Sequence, residues 1–215
     1  MRGGGGRGNR NRTHTEQPYI KYLDTDFGIN AIPTVSWFTD RRNEGYTGFV
    51  TTGHTSWAGV YQVWSGTQEA LGKALQAGMW IGLYGRSVEY WNEAIDNAGA
   101  YKRYLKFYLL DVETEDVGTH VLTRAMVDGV KAKGVRPIIY TASSMWNTIM
   151  SSSQAFSDVP LLDYIGLVTG WPTVLPTPNY GGWQQRIGAQ LRLAESHGSI
   201  DIDDCLIDSR FIYNS

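Results

Sequence analysis

Two carboxylates, Asp111 and Glu113, end a buried-strand pattern that begins at Lys106. Side chains two positions apart on a strand point to the same face, so these two acids are predicted to emerge side by side. Paired carboxylates at a strand end suit general acid–base chemistry at an acid-labile bond. The alternative interpretation is a strand that runs into an acidic loop, because Thr114, Glu115 and Asp116 follow directly.

Apolar, β-rich runs alternate with helix-like stretches along residues 18–215 and would position these acids. The predicted strands are residues 19–24, 48–52, 80–84, 107–113, 136–141, 164–169, 183–187 and 200–207. The first six begin about 30 residues apart, which is the span of one strand–helix unit. Helices are predicted for residues 67–77, 87–104, 119–133 and 143–150.

Eight strands that alternate with helices predict an α/β fold, namely a (β/α)8 TIM-like barrel. The last two strands follow at a shorter spacing, and the connection at residues 170–179 is rich in proline. The barrel is therefore predicted to be irregular in its last third, with helices missing after strands six and seven. A doubly wound open sheet is the competing architecture, since it shares the alternation but not the strand count.

The strand ends matter because active sites of such barrels gather at the C-terminal rim. Asp24 ends the first predicted strand, and Asp26 follows it. Asp201 and Asp203 belong to the last strand, which is a neighbour of the first in a closed barrel. Three strands would therefore deliver carboxylates to one rim. Other residues read at strand ends are Tyr84, Tyr140, Thr141, Trp183 and Gln184.

Residues 1–17 consist mainly of Gly, Arg and Asn, and they are predicted to form a disordered N-terminal tail. Gly3, Gly5 and Gly8 match the pattern GxGxxG, but no strand precedes them, so a dinucleotide site is rejected. The arginines of the tail could contact RNA or another polyanion, although a solvated tether is the favoured interpretation. One domain is predicted to follow, over residues 18–215.

The amino-acid composition limits the kinds of partner and cofactor that can be expected. A net charge of -2 gives no reason to expect a nucleic-acid or membrane partner, whereas eight Trp and thirteen Tyr suit a thick core or a sugar-binding groove. The single cysteine, Cys205, and four scattered histidines predict no metal and no cofactor. A calcium site at Asp201, Asp203, Asp204 and Asp208 is a weaker alternative. No apolar run has the length of a membrane span, and no signal peptide is recognised.

Several segments resemble the family 25 glycoside hydrolases, the Chalaropsis-type lysozymes, and the related glycoside-hydrolase-like barrels of actinobacteria and their phages. These segments are Leu110-Asp111-Val112-Glu113, Pro137-Ile138-Ile139-Tyr140-Thr141, Trp183-Gln184 and Ile200-Asp201-Ile202-Asp203, with an opening Tyr22-Leu23-Asp24-Thr25. The resemblance covers the chain from about residue 18 to about residue 210, and only the fourth and fifth strands match closely.

The resemblance implies a retaining N-acetylmuramidase that cuts the glycan strands of bacterial peptidoglycan. Glu113 would be the general acid, and Asp111 would hold the N-acetyl group of the substrate or stabilise charge at the anomeric centre. Asp24 and Asp201 would complete the acidic cleft. Neighbouring carboxylates favour the protonated form that Glu113 needs for this role. Further substrate contacts are expected from Tyr84, Tyr140, Trp171 and Trp183 as sugar platforms, and from Asp26, Arg86, Gln184 and Asp203.

The sequence departs from the family pattern in four places, one of which is Trp183-Gln184-Gln185, where the usual tyrosine is missing. Asp24-Thr25-Asp26 stands where the family has Asp-Val-Ser, which leaves the acid of the first strand ambiguous. Tyr84-Gly85-Arg86 stands where the family has Tyr-His-Phe, and this arginine would bind a substrate carboxylate or pair with Asp111. Asp203 replaces an asparagine, so Asp201 and Asp203 could exchange roles.

Two other functions are open from the sequence. One is a catalytically silent barrel of the same fold that binds glycan or serves as a structural part of a virion or cell surface. The other is a metabolic barrel enzyme with a phosphorylated substrate, for which Gly181-Gly182 is a poor phosphate loop because no helix signal follows it. The muramidase hypothesis predicts an extracellular or virion-associated, phage-released protein.

Overall fold

The computed structural model describes residues 18–25, 31–57, 60–115, 118–119, 121–167, 169–197 and 200–214. The predicted tail, residues 1–17, and Asp26 lie outside the described residues. The strands in the described part are β1 (Tyr19–Thr25), β2 (Tyr46–Trp57), β3 (Val60–Val63), β4 (Trp80–Gly85), β5 (Leu105–Val112), β6 (Thr114–Glu115), β7 (Gly118–Thr119), β8 (Pro137–Thr141), β9 (Leu161–Tyr164), β10 (Gly188–His197) and β11 (Ile200–Asp208).

Helices follow most of the strands. The α-helices in the described part are α1 (Val35–Asn43), α2 (Thr67–Gln76), α3 (Trp91–Asn97), α4 (Arg124–Ala132), α5 (Ser143–Ile149) and α6 (Ser209–Tyr213), and 3-10 turns at Val88–Tyr90 and Gly99–Tyr104 flank α3. No helix occurs among the described residues of the segment 165–187, between β9 and β10. None of the helices in the described part of the chain has the length and apolar character to cross a bilayer.

Eight strands close into a barrel in the order β1-β2-β4-β5-β8-β9-β10-β11, and β11 returns to β1. The seven strands from β1 to β10 in this order run parallel, while β11 is antiparallel to both of its neighbours. The predicted TIM-like barrel with missing helices in its last third is therefore confirmed. The reversed β11 is a correction, because Asp201 and Asp203 lie in the first half of that strand.

The reversal of β11 explains how its acids can still lie near the rim. Tyr19 at the start of β1 faces Asp208 at the end of β11, and Asp24 near the end of β1 faces Asp203. The C-terminal rim of the parallel strands therefore coincides with the beginning of β11. A strand of opposite direction at this place presents its first residues, not its last ones, to the rim.

Two layers of apolar side chains fill the barrel and its surroundings. Tyr22, Val50 and Phe107 point into the barrel and pack in one inner cluster. Their chain neighbours, such as Leu23 and Phe49, face outward and pack against the helices. This alternation is the two-residue period of a strand buried on both faces, and it places every second residue near the rim inside the barrel mouth.

Several element boundaries differ from the sequence-based prediction. The sixth strand is Leu161–Tyr164 rather than residues 164–169, and the seventh is Gly188–His197 rather than residues 183–187. Trp183 is buried against Trp146 in the preceding loop, so its strand-like character reflects packing and not strand pairing.

Two predicted helices also changed, and helices α1 and α6 were not predicted. The helix expected at residues 87–104 breaks at Gly99, whose φ of +53° is left-handed. The helix expected from residue 119 begins at Arg124, because the Thr123 side chain caps it by accepting from the Met126 N–H. Helix α1 was not predicted, since Phe38 is its only buried residue and charged side chains interrupt any apolar face.

Candidate active site

A cavity of about 250 Å³ opens at the C-terminal rim of the barrel. Its lining combines carboxylates, one arginine, tyrosines and leucines. The lining residues are Asp24, Tyr84, Arg86, Leu109, Asp111, Glu113, Tyr140, Tyr164, Gln190, Leu193 and Asp203. The rim cavity therefore contains seven of the side chains that the sequence analysis named as site candidates.

Strand β5 supplies the two carboxylates that the sequence analysis placed first. Leu109, Asp111 and Glu113 all line the cavity, as the two-residue period of the strand requires. Asp111 is only 6% exposed, and Glu113 follows the last residue of the strand. The Thr141 hydroxyl donates to the backbone oxygen of Val112 (2.8 Å), which ties the end of β5 to the end of β8.

A hydrogen-bonded chain crosses the cavity floor from β8 to β11. The Tyr140 hydroxyl donates to Gln190 Oε1, and Gln190 Nε2 donates to Asp203 Oδ2 (2.5 Å). The Ala194 N–H donates to the other oxygen of Asp203, Oδ1, at 2.8 Å. Since the Tyr140 proton is held by Gln190, its oxygen is left as an acceptor toward the cavity.

The hydrogen bond from the Ala194 N–H to Asp203 depends on irregular backbone in β10. The pairing of β10 with β11 shifts register twice between Gln190 and Glu195, and Ala194 adopts a left-handed φ of +52°. Bulges of this kind re-aim side chains next to functional sites. Here Leu193, which is 51% exposed, lines the cavity, and the Ala194 N–H faces Asp203.

The electrostatics of the floor favour protonated groups. Burial raises the pKa of Asp203 to about 6, and the charge of Asp204 adds to this rise, while the Ala194 and Gln190 hydrogen bonds and the charge of Arg86 oppose it. Burial also raises the pKa of the Tyr140 hydroxyl well above its ordinary value, and the charges of Glu113 and Asp111 act in the same direction.

A neutral layer lies beneath the carboxylates. Tyr22 and Cys205 are fully buried and pack in the same inner cluster. Burial raises the pKa of the Cys205 thiol well above its ordinary value, and the charges of Asp24 and Asp203 raise it further. Cys205 is thus an uncharged part of the core, and the acids above it face the cavity mouth.

Arg86 is the one basic side chain among the described lining residues. It follows the last residue of β4, and its backbone N–H donates to the His54 oxygen (2.9 Å), which fixes the start of the loop. Its positive charge lowers the pKa of Asp203, so it acts across the cavity on the acid of β11.

Five predicted site residues are not among those that line the cavity. Asp201 is exposed, and its backbone oxygen accepts from the Thr25 hydroxyl (2.9 Å). Trp171 lies on the outside of the barrel, where Lys21 Nζ stands 4.2 Å from its ring centre. Trp183 is buried, and its Nε1 donates to the Val159 oxygen (2.8 Å). Gln184 is exposed beside Trp183. The fifth, Asp26, lies outside the described residues.

The structure adds four lining residues that the sequence analysis did not name, namely Leu109, Tyr164, Gln190 and Leu193. Leu109 follows from the same alternation that places Asp111. Tyr164 ends β9, so the strand-end argument would have found it with the correct strand boundary. Gln190 and Leu193 carry no signal in the sequence, since the bulge in β10 decides their direction.

The suggested calcium site does not assemble. Asp204 pairs with Arg192 (2.6 Å), Asp208 pairs with Arg210 (2.5 Å), and Asp203 lies in the rim cavity. In the part of the chain that the structure describes, no group of three His, Cys, Asp or Glu residues is arranged to hold a metal ion.

No protein-family model matches this sequence, and no curated protein matches it. Solved structures share its fold. A muramidase from Trichobolus zukalii aligns with a TM-score of 0.63 and 16% identity, over 91% of this chain and 100% of that chain. A family GH25 lysozyme from Aspergillus fumigatus aligns with a TM-score of 0.64 and 17% identity, over 89% of this chain and 94% of that chain.

A phage protein has the same fold as well. The catalytic domain of an endolysin from a Listeria monocytogenes bacteriophage aligns with a TM-score of 0.64 and 18% identity, over 91% of this chain and 96% of that chain. The chain therefore has the barrel fold seen in muramidases, lysozymes and endolysins. Fold alone does not define activity, which depends on the side chains of the rim cavity.

Proposed function

We propose that this protein is a muramidase-type glycoside hydrolase that cleaves the glycan strands of bacterial peptidoglycan. The observation that carries the proposal is the delivery of Asp111 and Glu113 by one strand into a rim cavity that also contains Asp24 and Asp203. Glycosidic bonds are cleaved by pairs of carboxylates that flank the scissile oxygen. The barrel likeness to muramidases and lysozymes supports the same substrate class.

In the proposed reaction Glu113 is the general acid and donates its proton to the leaving glycosidic oxygen. Asp111 is more deeply placed and holds the N-acetyl group or stabilises the positive charge that develops at the anomeric carbon. Asp24 and Asp203 add negative potential around that charge. After the leaving group departs, Glu113 is ionised and can accept a proton from the incoming water.

The walls of the cavity suit a sugar ring. Tyr84, Tyr164 and Leu193 offer apolar surface, and Tyr164 and Leu193 are exposed by 37% and 51%. The Tyr140 oxygen, whose proton is donated to Gln190, is an acceptor for a sugar hydroxyl or amide N–H. These residues bind and orient the glycan, while the carboxylates carry the chemistry.

The test compares the wild-type chain with Glu113→Gln on purified peptidoglycan, by turbidity loss and by release of reducing sugar. We expect the wild type to release reducing sugar and the variant to do so at least a hundred-fold more slowly. Glutamine keeps the shape of the side chain, but its amide cannot act as a general acid. Equal release by the two proteins would contradict the role of Glu113.

A second candidate is a barrel that binds cell-wall glycan without cutting it. The observation in its favour is the presence of Arg86 in the same cavity as Asp111, where a cation can neutralise the acid cluster. The same experiment separates the two functions. Sedimentation of the protein with peptidoglycan and no sugar release by the wild type would favour the binding barrel.

The proposed substrate also indicates where the protein acts. Peptidoglycan is reached from outside the cell, or from inside after release by a phage, so an extracellular or virion-associated site of action is proposed. Added purified protein should lower the turbidity of intact cells whose wall is accessible. No such effect, with activity on purified peptidoglycan, would argue against action from outside.

A further inference from the structure

A second cavity lies at the end of the barrel opposite the rim cavity. Its volume is about 450 Å³. Trp80 begins β4, Leu105 begins β5, and Arg136 directly precedes β8, so this cavity is formed at the N-terminal ends of parallel strands. We call it the basal cavity. Its lining residues are Leu75, Trp80, Arg103, Tyr104, Leu105, Lys106, Gly134 and Arg136.

The basal cavity is positively charged. Arg103, Lys106 and Arg136 line it, and none of its lining residues is acidic. Among the described residues, no ion pair joins any of these three cations to a carboxylate. The chain as a whole has a net charge of -2, so three neighbouring cations without acidic partners stand out from its composition.

Arg136 is held in place, but none of the ion pairs in the described part of the chain gives it an acidic partner. Its Nε donates to the Lys106 oxygen (3.0 Å), and its guanidinium lies 4.1 Å from the centre of the Phe211 ring. Its Nη2 is buried and has no hydrogen-bond partner in the described part of the chain. Burial lowers its pKa, which reports the same unfavourable desolvation of the cation. An anion bound beside it would supply the missing negative charge.

We propose that the basal cavity binds the phosphate groups of an anionic polyol-phosphate polymer of the cell wall. Guanidinium groups match the geometry of phosphate oxygens. Arg103 and Arg136 supply two such groups, and Lys106 adds a third cation to the lining. The cavity lies at the opposite barrel end from Asp111 and Glu113, so a polymer bound there leaves the rim cavity accessible. Phosphate binding at this cavity does not depend on glycan cleavage at the rim, but the choice of a cell-wall polymer as the ligand rests on the proposed function.

The surroundings disfavour nucleic acid as the ligand. Proteins bind single-stranded nucleic acid by stacking bases on exposed aromatic rings. In the basal cavity Trp80 is buried, and the guanidinium of Arg103 already lies 4.7 Å from the centre of the Tyr104 ring. Tyr104, which is 46% exposed, is thus the single exposed aromatic ring in the described lining, and the Arg103 cation already covers one of its faces.

The test measures the dissociation constant of poly(glycerol phosphate) for the full chain at low and at physiological salt. The double variant Arg103→Ala/Lys106→Ala is expected to raise this constant at least tenfold. The control Lys73→Ala/Lys131→Ala removes two surface cations that have acidic partners and should leave this constant unchanged. Glu113→Gln should also bind like the wild type, which separates this site from the rim cavity.

Arg136→Lys keeps the charge but loses the forked donor geometry, and it is expected to weaken binding about threefold. Inorganic phosphate at high concentration should compete with the polymer. Unchanged binding by the double variant, or no binding by the wild type, would overturn the proposal. Tighter binding of single-stranded DNA than of poly(glycerol phosphate) would also overturn it in favour of a nucleic-acid ligand.

Discussion

The outer face of the barrel is covered by helices on one side and by a loop on the other. On the helix side, Leu110 of β5 and Ile139 of β8 pack in one cluster with Val127 of α4 and Trp146 of α5. On the loop side, Leu191 of β10 and Leu206 of β11 pack against Leu175 and against partly buried Ile165, Leu167 and Trp171 of the segment between β9 and β10. Both sides bury apolar surface, but the loop needs additional contacts to stay in place.

Two arginines provide these contacts in the same way. Arg186 forms two hydrogen bonds to Asp163 of β9 (2.6 and 2.8 Å) and donates a third to the Pro176 oxygen. Arg192 forms two to Asp204 of β11 (2.9 and 2.6 Å) and donates a third to the Gly170 oxygen (2.8 Å). Each arginine therefore anchors one end of the segment 170–176 to a carboxylate on the barrel wall.

The loop needs these charged anchors, and the helices do not, for a physical reason. A helix satisfies most of its own backbone groups, so apolar packing is enough to attach it to the sheet. A loop has backbone oxygens without such partners, and charged donors that are themselves paired can satisfy them. The inner face of the same side supplies Gln190 and Asp203 to the rim cavity. The loop-covered side is therefore both the less regular and the more polar part of the barrel.

Among the variants that test this difference between the two sides, Arg186→Leu is expected to lower stability most. Arg186 and Asp163 are both buried, so removing the cation leaves a buried carboxylate whose remaining side-chain partner is the Tyr180 hydroxyl (2.9 Å). We expect the free energy of unfolding to fall by about 3–5 kcal/mol, measured by denaturant titration.

The control for Arg186→Leu is Arg124→Ala, which breaks an exposed ion pair with Asp158 on the helix side. Exposed pairs contribute little, so the denaturation midpoint should hardly change. Similar midpoints for the two variants would contradict the view that buried pairs hold the loop-covered side.

Trp171→Ala tests whether this tryptophan anchors the loop or contacts substrate. Lys21 Nζ lies 4.2 Å and the Arg192 guanidinium 4.8 Å from the centre of its ring, which packs edge-on against Tyr46. We expect the free energy of unfolding to fall by about 2 kcal/mol, with kcat/KM on soluble glycan unchanged. Tyr164→Ala, in the rim cavity, should show the opposite pattern, a higher KM at similar stability. A loss of activity without loss of stability in Trp171→Ala would restore it as a sugar platform.

Gln190→Leu tests the polar contribution of the loop-covered side to the rim cavity. The change removes both hydrogen bonds that bridge Tyr140 and Asp203, and we expect kcat/KM to fall about thirtyfold, since each bond contributes about 1 kcal/mol. Gln184→Leu changes an exposed glutamine that does not line the cavity, and it should retain full activity. Equal losses in the two variants would contradict the proposed positioning role of Gln190.

The smallest expected effect concerns the pH dependence of stability at Asp203. Its pKa in the folded chain is about 6, raised from 3.8 by burial, so between these values the folded chain binds more protons than the unfolded chain. Stability should therefore fall as pH rises from about 4 to about 6, by on the order of 1–2 kcal/mol. Asp203→Asn should remove this part of the slope in denaturant titrations at pH 4 and pH 7. An unchanged slope would mean that another group titrates.

Much of the helix-covered side was predictable from the sequence. A run of apolar residues predicts strand β5. The alternation of side chains along a strand then places Asp111 and Glu113 on one face without any tertiary information. Helices α2 and α5 match their predicted ranges to within a residue, because a local 3.6-residue period and a following glycine or loop mark them.

The loop-covered side was predicted less well. Trp171, Trp183 and Gln184 were expected to touch substrate, but the first two pack against the barrel or the core and the third is exposed away from the cavity. An aromatic ring that packs against a cation and one that stacks on a sugar are the same residue type in a sequence. Only the neighbours, which come from distant parts of the chain, distinguish them.

The sequence by itself determined the alternating barrel, the missing helices in the last third, and the pair of acids at the end of β5, because each depends on a pattern within about 30 residues. The tertiary structure decided the reversed direction of β11, the arrival of Asp203 rather than Asp201 in the cavity, and the turn of Gln190 toward Tyr140. These features depend on strand pairing and on a bulge whose partners lie on other strands, so no local period records them.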